Sequence, residues 1–363
     1  MSDLRRLAIP GLAALVATVS PARAEPTVAL VPLPFAVDEF RGPDTVVAAV
    51  APSTDALRGA KAAGRGPLVV VWGPQGGAAL ALEGGGVRAF ALGASVDLET
   101  VETGRGAIPA ARLARSGPLT ASLVEPTRAV PHASLGSPVH AAAISVAERR
   151  PVAAGPDPRP VPVETARVEA GPEAAFEARE VKIVAGRDGA PPRLLAIRST
   201  ADKGAALAIL EKRDGAWRIA AETPPTGEPR TWLNLAAATA TPDGLEIAIV
   251  LRPDRDGLLQ LWSYKDGRLA LVGERPGFSN HAAGRAAQDL AAIVETGSGE
   301  RLLALPSLDR AALAFVRLRP DLAEVARVPL PAKAASGVGA LGRGPDSHVL
   351  VGLEDGRLAD VRL

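Results

Sequence analysis

The chain contains no cysteine and few aromatic residues. Cysteine is absent from all 363 positions, which excludes disulfides, thiolate metal sites and cysteine nucleophiles. Aromatic side chains make up only 3% of the residues, so the core must be mostly aliphatic. Lys and Arg number 41 against 40 for Asp and Glu, and this balance gives no net field that would attract nucleic acid or an anionic membrane. We therefore predict no nucleic-acid partner.

Long hydrophobic runs are missing beyond the N-terminus. There, Arg5-Arg6 precede the apolar stretch Leu7–Val19, and Ala22-Arg23-Ala24 fits a signal-peptidase site. The apolar stretch falls short of the roughly 20 residues that a membrane span needs, which favours a cleaved signal over an N-terminal anchor. We predict a signal peptide at 1–24, a mature domain at 25–363, a periplasmic or secreted location and no membrane span.

The second half of the chain alternates short apolar runs with turns rich in Gly, Asp and Pro. No window sustains the spacing of an amphipathic helix, whereas runs of six or seven residues are typical of strands. The clearest unit carries four predicted strands, at Asn234–Ala240, Leu245–Leu251, Leu258–Tyr264 and Arg268–Glu274. Four antiparallel strands in about 45 residues form one blade of a β-propeller.

Similar units on both sides predict an all-β chain, a β-propeller of about seven four-stranded blades. Thr45–Ala51 is predicted as a strand of the first blade, and residues 95–175 as two irregular blades. The last unit lacks one strand, and the β-prone run Thr27–Val31 is predicted to supply it, because a ring must close to remove its open edge. Six blades, or a small N-terminal domain with a shorter propeller, are the alternatives.

Four segments between residues 180 and 318 carry a resemblance to a known family. They are Lys203–Ala208, Glu222–Gly227, Arg230–Asn234 and Gly277–His281. Together they resemble the bacterial FG-GAP/VCBS-type repeats, which implies an exported, integrin-α-like β-propeller.

The resemblance departs from the family at the calcium loops. Family repeats typically carry an Asp-x-Asp-Gly loop whose carboxylates wrap one cation. The corresponding loops here keep at most one carboxylate each: Gly186–Gly189, Thr241–Gly244, Thr296–Gly299 and Gly344–Ser347. We therefore predict no metal and no cofactor, with calcium at Asp188 or Asp243 as the alternative.

Propeller geometry would gather polar residues from several loops on one rim. Arg side chains there could bind carboxylate or phosphate, and Trp232 could anchor a ligand. The predicted ligand-binding residues are Arg198, Asp202, Trp232, Asn234, Arg252, Asp254, Asn280, His281, Asp309 and Arg310. The structural alternative is that the charges pair with one another, that Trp232 wedges between blades and that His281 is a core residue.

No catalytic motif is present in the sequence. There is no phosphate-binding loop and no Gly-x-Ser-x-Gly nucleophile elbow, and the four histidines lack metal-ligand spacing. We assign no catalytic residue and predict a binding or scaffolding module for an unknown protein or a small polar ligand. The alternatives are an enzyme at the channel mouth that uses His281, and a purely structural component of the envelope.

Overall fold

The computed structural model describes residues 26–51, 67–92, 98–150, 152 and 160–363. Within these ranges the chain is built from strands with two five-residue helices, which confirms the predicted all-β class. None of the helices described there is long and apolar enough to cross a bilayer. The predicted signal peptide at 1–24 lies outside the described residues.

The first half of the chain contains both helices. Its elements are β1 (Thr27–Val31), β2 (Glu39–Arg41), α1 (Val46–Val50), β3 (Val69–Gly73), β4 (Gly76–Glu83), β5 (Gly86–Leu92), α2 (Leu98–Glu102), β6 (Ala114–Ser116), β7 (Leu119–Thr127), β8 (His140–Arg149), β9 (Val163–Glu169), β10 (Ala174–Phe176) and β11 (Lys182–Val184).

The second half consists of regular antiparallel hairpins. Its strands are β12 (Arg193–Thr200), β13 (Gly204–Arg213), β14 (Ala216–Glu222), β15 (Leu233–Thr241), β16 (Gly244–Leu251), β17 (Leu258–Lys265), β18 (Arg268–Arg275), β19 (Ala292–Glu295), β20 (Arg301–Pro306), β21 (Ala312–Arg317), β22 (Ala323–Pro329), β23 (Ala334–Leu341), β24 (His348–Leu353) and β25 (Leu358–Arg362).

The strands form four four-stranded sheets and one nine-stranded sheet. The four are β2-β3-β4-β5, β15-β16-β17-β18, β19-β20-β21-β22 and β1-β25-β24-β23. In the nine-stranded sheet, the short strand β10 pairs with both β8 and β12 and so joins two groups of four, β6–β9 and β11–β14. The described residues therefore hold six four-stranded groups, one fewer than the predicted seven.

The missing group falls in the irregular stretch 95–175. Two blades are predicted there, but its described residues contain the single group β6–β9, because α2 and the long connections 103–113 and 128–139 take up the rest of the chain. The predicted strand Thr45–Ala51 is also wrong. It is the helix α1, whose N-terminus is capped by the Thr45 hydroxyl as it accepts a hydrogen bond from the Ala48 amide at 3.3 Å.

The N-terminal strand pairs with the C-terminal strand, as predicted. β1 lies antiparallel beside β25 along its full length, with Val28 opposite Val361. β1 is the outer strand of this sheet, and Leu30 on it is 46% exposed, whereas Leu358, Ala359 and Val361 on β25 are fully buried.

Neighbouring sheets share apolar clusters made almost entirely of Ala, Val, Leu and Ile. Phe40 on β2 is an exception, fully buried against β23. A Cβ on Gly337 would lie 2.3 Å from the Phe40 ring, so glycine is required for this approach. Six strands, which we call the inner strands, lie next to one another in the order β6, β11, β15, β19, β23, β2. Their neighbouring positions place them around one common space.

Candidate functional site

A cavity of about 1080 Å³ lies between these inner strands. Its wall is built from small residues of β15, β19 and β23, among them Ala238, Ala292 and Ala340. Small side chains leave the space open where larger aliphatic residues would fill it. The charged residues that line the cavity are Asp44, Arg112, Glu180, Lys182, Arg187, Asp289, Glu295, Arg301 and Arg343.

Two ends of the cavity differ in their residues. Asn234, Gln288 and Asp289 lie at or before the starts of inner strands, whereas Glu295 and Arg343 lie at or after the ends of such strands. We call the end lined by Asn234, Gln288 and Asp289 the start end, and the end lined by Glu295 and Arg343 the finish end. The Gly344 amide donates a hydrogen bond to the Glu295 carbonyl at 3.0 Å, which holds Glu295 and Arg343 on the same side of the cavity.

Arg112 is the central cation of the start end. Its side chain is 8% exposed and forms ion pairs with Asp289 and with Glu180, the latter at 3.0 Å. Both Nη atoms bond Asp289 in a bidentate arrangement, which is the strongest geometry for a guanidinium and a carboxylate. The Nε atom of Arg112 is buried without a hydrogen-bond partner in the described part of the chain.

The pKa values of the two carboxyl groups on Arg112 shift in opposite directions. Burial raises the pKa of Glu180, although Arg112 opposes this. Burial also acts to raise the pKa of Asp289, but its attraction to Arg112 and its hydrogen bonds outweigh this and hold the pKa below its usual value. Glu180 is therefore more readily protonated than Asp289, so the two carboxyl groups are chemically unequal.

Of the ten residues predicted from the sequence, four are buried together. Trp232, Asn234, Asn280 and His281 are each at most 3% exposed. The indole Nε1 of Trp232 donates to the Glu177 carbonyl at 3.1 Å, and its ring contacts the His281 ring at 4.8 Å between centroids.

The amide side chains in this group bond to the protein itself. Asn234 Nδ2 donates to the carbonyls of Asn280 and Gln288, at 3.0 and 3.1 Å, and Asn280 Nδ2 donates to the Leu235 carbonyl at 3.1 Å. His281 Nε2 donates to the Arg285 carbonyl at 2.9 Å, and its Nδ1 lies 3.6 Å from the Asp254 carboxylate. Among the ten, only Asn234 lines the cavity.

The loop 128–139 lies over these buried residues. Leu135, in the connection 128–139, is 1% exposed and belongs to the same apolar cluster as Trp232. The Gly284 amide, in the β18–β19 connection, donates to the Ser134 carbonyl at 3.1 Å. The two loops therefore bring together parts of the chain that are about one hundred and fifty residues apart, and the loop 128–139 covers the residues that an open rim would expose.

Of the other six predicted residues, Arg198 lies on β12, and five lie on loops between strands. Arg252 is bidentate to Asp256, at 2.7 and 2.5 Å, and Arg310 donates to the Ala334 carbonyl at 2.7 Å. Arg198 donates to the Ala170 carbonyl at 2.5 Å. Asp202, Asp254 and Asp309 are exposed. That any of the ten residues binds a ligand stays a prediction.

Beneath the loop 128–139 lies a buried ionisable cluster. Glu177 is fully buried, accepts a hydrogen bond from Ser199 at 2.7 Å and lies 3.0 Å from His132 Nδ1. His140 Nε2 donates to the His132 carbonyl at 3.0 Å, and Arg179 donates to the Val139 and Leu135 carbonyls. The cluster fixes the loop to the strands below it.

The buried His140 predicts a pH-dependent stability. Burial lowers the pKa of His140 below 6.5, although Glu177 opposes this. Its Nδ1 atom has no hydrogen-bond partner among the described residues, so a proton added there would have no acceptor. Because the unfolded chain binds this proton more readily, stability is complete above pH 6.5 and falls as the pH drops through the folded-state pKa.

We expect the free energy of unfolding to fall below pH 6.5 by up to about 1.4 kcal/mol per pH unit from this group. His140→Gln keeps a donor near the His132 carbonyl and should remove that part of the slope, as measured by urea unfolding between pH 5 and 8. An unchanged slope in the variant would show that His140 does not titrate with folding.

Sequence reasoning missed Arg112, Glu180 and Asp289. They precede the strands β6, β11 and β19 by two or three residues, close to the position that Asn234 holds at the start of β15. A charged residue just before a short apolar strand, repeated in several units, is the signal that could have identified them.

No protein-family model matches this sequence, and no curated protein matches it. Among solved structures, the chain is similar to a luciferin-regenerating enzyme, at 12% identity and a TM-score of 0.43, over 93% of this chain and 96% of the other. It is also similar to the β-propeller domain of Cps50 (Swd1) from Myceliophteria thermophila, at 12% identity and a TM-score of 0.41, over 82% of this chain and 90% of the other. These similarities are too low to carry an argument about function.

Proposed function

We propose that this chain is an exported β-propeller of six blades that binds a small polar molecule in its central cavity. The observation that carries the proposal is the cavity of about 1080 Å³, walled by small side chains and holding the buried Arg112. Ligand sites are typically concave, with few polar groups fixed in mostly apolar walls, and a volume near 300–1000 Å³ is common.

The sheet order supports the propeller. The six inner strands lie side by side in the order β6, β11, β15, β19, β23 and β2, and the groups to which they belong pack face to face. β1 completes the sheet of β23–β25, as a strand that closes a ring would. Contacts also join the group β2–β5 to the group β6–β9. Arg41 on β2 pairs with Glu102 on α2, and the Glu102 carbonyl accepts a hydrogen bond from the Leu113 amide just before β6.

Export rests on the sequence of residues 1–24. The family proposal, an FG-GAP/VCBS-type repeat protein, likewise rests on the four sequence segments and stays a prediction. The absence of cysteine is compatible with both an exported and a cytoplasmic protein, so it does not bear on export.

A cavity-filling substitution tests the binding proposal. Ala340→Trp places a large ring at the cavity wall, whereas Ala216→Trp adds the same ring at an exposed position on β14. Wild type and Ala216→Trp should both be stabilised against heating by members of a library of small polar metabolites, and Ala340→Trp should lose that response. If no compound stabilises the wild type, or if the two variants respond alike, the proposal is wrong.

An enzyme is the alternative, and Glu180 is the observation that favours it. A carboxyl group whose pKa is raised by burial, next to one that stays ionised, is an arrangement that acid–base catalysis uses. His281 does not serve this alternative, since it is fully buried and does not line the cavity. NMR of a bound compound after incubation separates the two functions: conversion that Glu180→Gln abolishes would indicate an enzyme, and an unchanged compound a binding protein.

A further inference from the structure

Three arginines surround the finish end of the cavity. Arg187 follows β11, Arg343 follows β23, and Arg301 begins β20 directly opposite Glu295, the last residue of β19. All three line the cavity and are exposed to solvent. Each comes from a different four-stranded group, so the fold brings together three cations that are far apart in sequence.

These arginines carry charge that the described part of the protein does not neutralise. No carboxylate of the described residues lies within 4 Å of their guanidinium groups. Arg301 donates only to the Thr239 hydroxyl, at 3.0 Å. Glu295 is the single lining carboxylate on β19, so positive charge predominates at this end.

At the opposite end of the cavity the cations are paired with carboxyl groups. Arg112 is shared between Asp289 and Glu180, so its charge is already neutralised by the protein. Lys182, also on the wall, is paired with Asp44 at 3.2 Å. A second anion would meet the two carboxyl groups on Arg112, whereas a hydroxyl or another neutral donor could bond to them.

We propose that the cavity selects small anions, whose carboxylate or phosphate group binds Arg187, Arg301 and Arg343 while their uncharged polar part points toward Glu180 and Asp289. This inference rests on the proposed function, since it assigns a ligand class to the same cavity. Guanidinium groups suit both anions because their paired N–H donors match two oxygens at once. At the solvent-exposed finish end, the attraction also weakens as salt rises.

The experiment compares four probes by isothermal titration calorimetry on the full mature chain. Citrate and glucose 6-phosphate are the anionic probes, and glucose and glycerol are the neutral ones. We expect at least one anion to bind and neither neutral probe to bind as tightly. The triple variant Arg187→Gln, Arg301→Gln, Arg343→Gln should bind that anion at least about 100-fold more weakly, near tenfold for each arginine lost.

A matched triple variant controls for the loss of net charge. Arg115→Gln, Arg268→Gln and Arg275→Gln remove three exposed arginines that do not line the cavity, and this variant should bind as the wild type does. Citrate binding without glucose 6-phosphate binding would identify a carboxylate ligand, and the reverse a phosphate ester; either supports the inference.

Two outcomes overturn it. If glucose or glycerol binds and neither anion does, the ligand class is wrong while the cavity still binds a polar molecule. If the anion binds equally to both triple variants, the arginines of the finish end do not hold it. If no probe binds, the inference fails, and the separate library screen with Ala340→Trp decides whether the proposed function fails with it.

Discussion

Replacing the buried Arg112 with methionine should lower the free energy of unfolding by about 3 kcal/mol, because it leaves two half-buried carboxyl groups beside one another without their guanidinium partner. Methionine keeps most of the side-chain length, so lost packing contributes little. Equilibrium unfolding in urea at neutral pH measures the difference.

The pH dependence of that loss identifies its cause. In the wild type, Arg112 holds the pKa of Asp289 low, so this contribution to stability is present above about pH 4 and is lost in more acidic solution. In the variant, burial still acts to raise the pKa of both carboxyl groups, and the opposing effect of Arg112 is lost, although Arg41 and Lys182 remain nearby. Its stability should therefore recover toward that of the wild type as the pH falls from 7 to 4.

Two further variants keep this prediction testable. Arg115→Met, at an exposed position three residues along the chain, should change the free energy of unfolding by less than about 0.5 kcal/mol. Adding Glu180→Gln and Asp289→Asn to Arg112→Met should recover most of the lost stability, since no buried charge is then left unpaired. A loss that is independent of pH and is not recovered would contradict the ion-pair account.

Removal of β1 should have the second large effect. Deleting 27–31 leaves β25 with an unpaired edge, and each backbone hydrogen bond contributes about 1 kcal/mol. Folding of the shortened chain no longer has to order residues 27–31, and this saving in conformational entropy offsets part of the lost hydrogen bonding. We therefore expect the free energy of unfolding to fall by about 2–4 kcal/mol. The uncovered edge should also pair with other chains, and size-exclusion chromatography should show oligomers.

The control for the deletion keeps the strand and changes its exposed side chains. Val28 and Leu30 are 38% and 46% exposed, so Val28→Thr with Leu30→Thr should preserve the backbone pairing and remain monomeric. If the deletion behaves like this double variant, β1 does not protect the edge of β25.

The sequence predicts the second half of the fold closely because each strand there ends at a turn with its own signal. The predicted Leu258–Tyr264 and Arg268–Glu274 are observed as β17 and β18, one residue longer each, around the turn at Asp266-Gly267. Asp266 has a φ of 51°, which an Asp-Gly turn tolerates. Local turn chemistry therefore fixed these hairpins without tertiary information.

The first half was less predictable because tertiary contacts decide it. Thr45–Ala51 has the β-branched residues of a strand, yet the segment is a helix capped by Thr45 and buried on one side. β2 is only three residues long, too short to give a strand pattern in the sequence, but Phe40 within it fills the space above Gly337. Contacts between distant segments, which single-sequence patterns do not contain, set both elements.

The candidate site shows the same division. Sequence reasoning placed Trp232, Asn234, Asn280 and His281 together, and they are neighbours in the structure. It did not foresee that the loop 128–139 lies over them, because the sequence gives no indication that Gly284 meets Ser134. The cavity residues are brought together only by the arrangement of the sheets, so the cavity could not be found from spacing.

We propose that β1, by pairing with β25, closes a ring of strands around the cavity. Because the chain has no cysteine, Thr27→Cys with Arg362→Cys introduces a single pair, at positions directly opposite each other on β1 and β25 and both exposed. Opposite residues in an antiparallel pair are close enough for a disulfide. Mild oxidation followed by mass spectrometry should show a monomer with an internal disulfide, whereas Thr27→Cys alone should form only dimers. A double variant that stays reduced, or that links only between chains, would contradict closure.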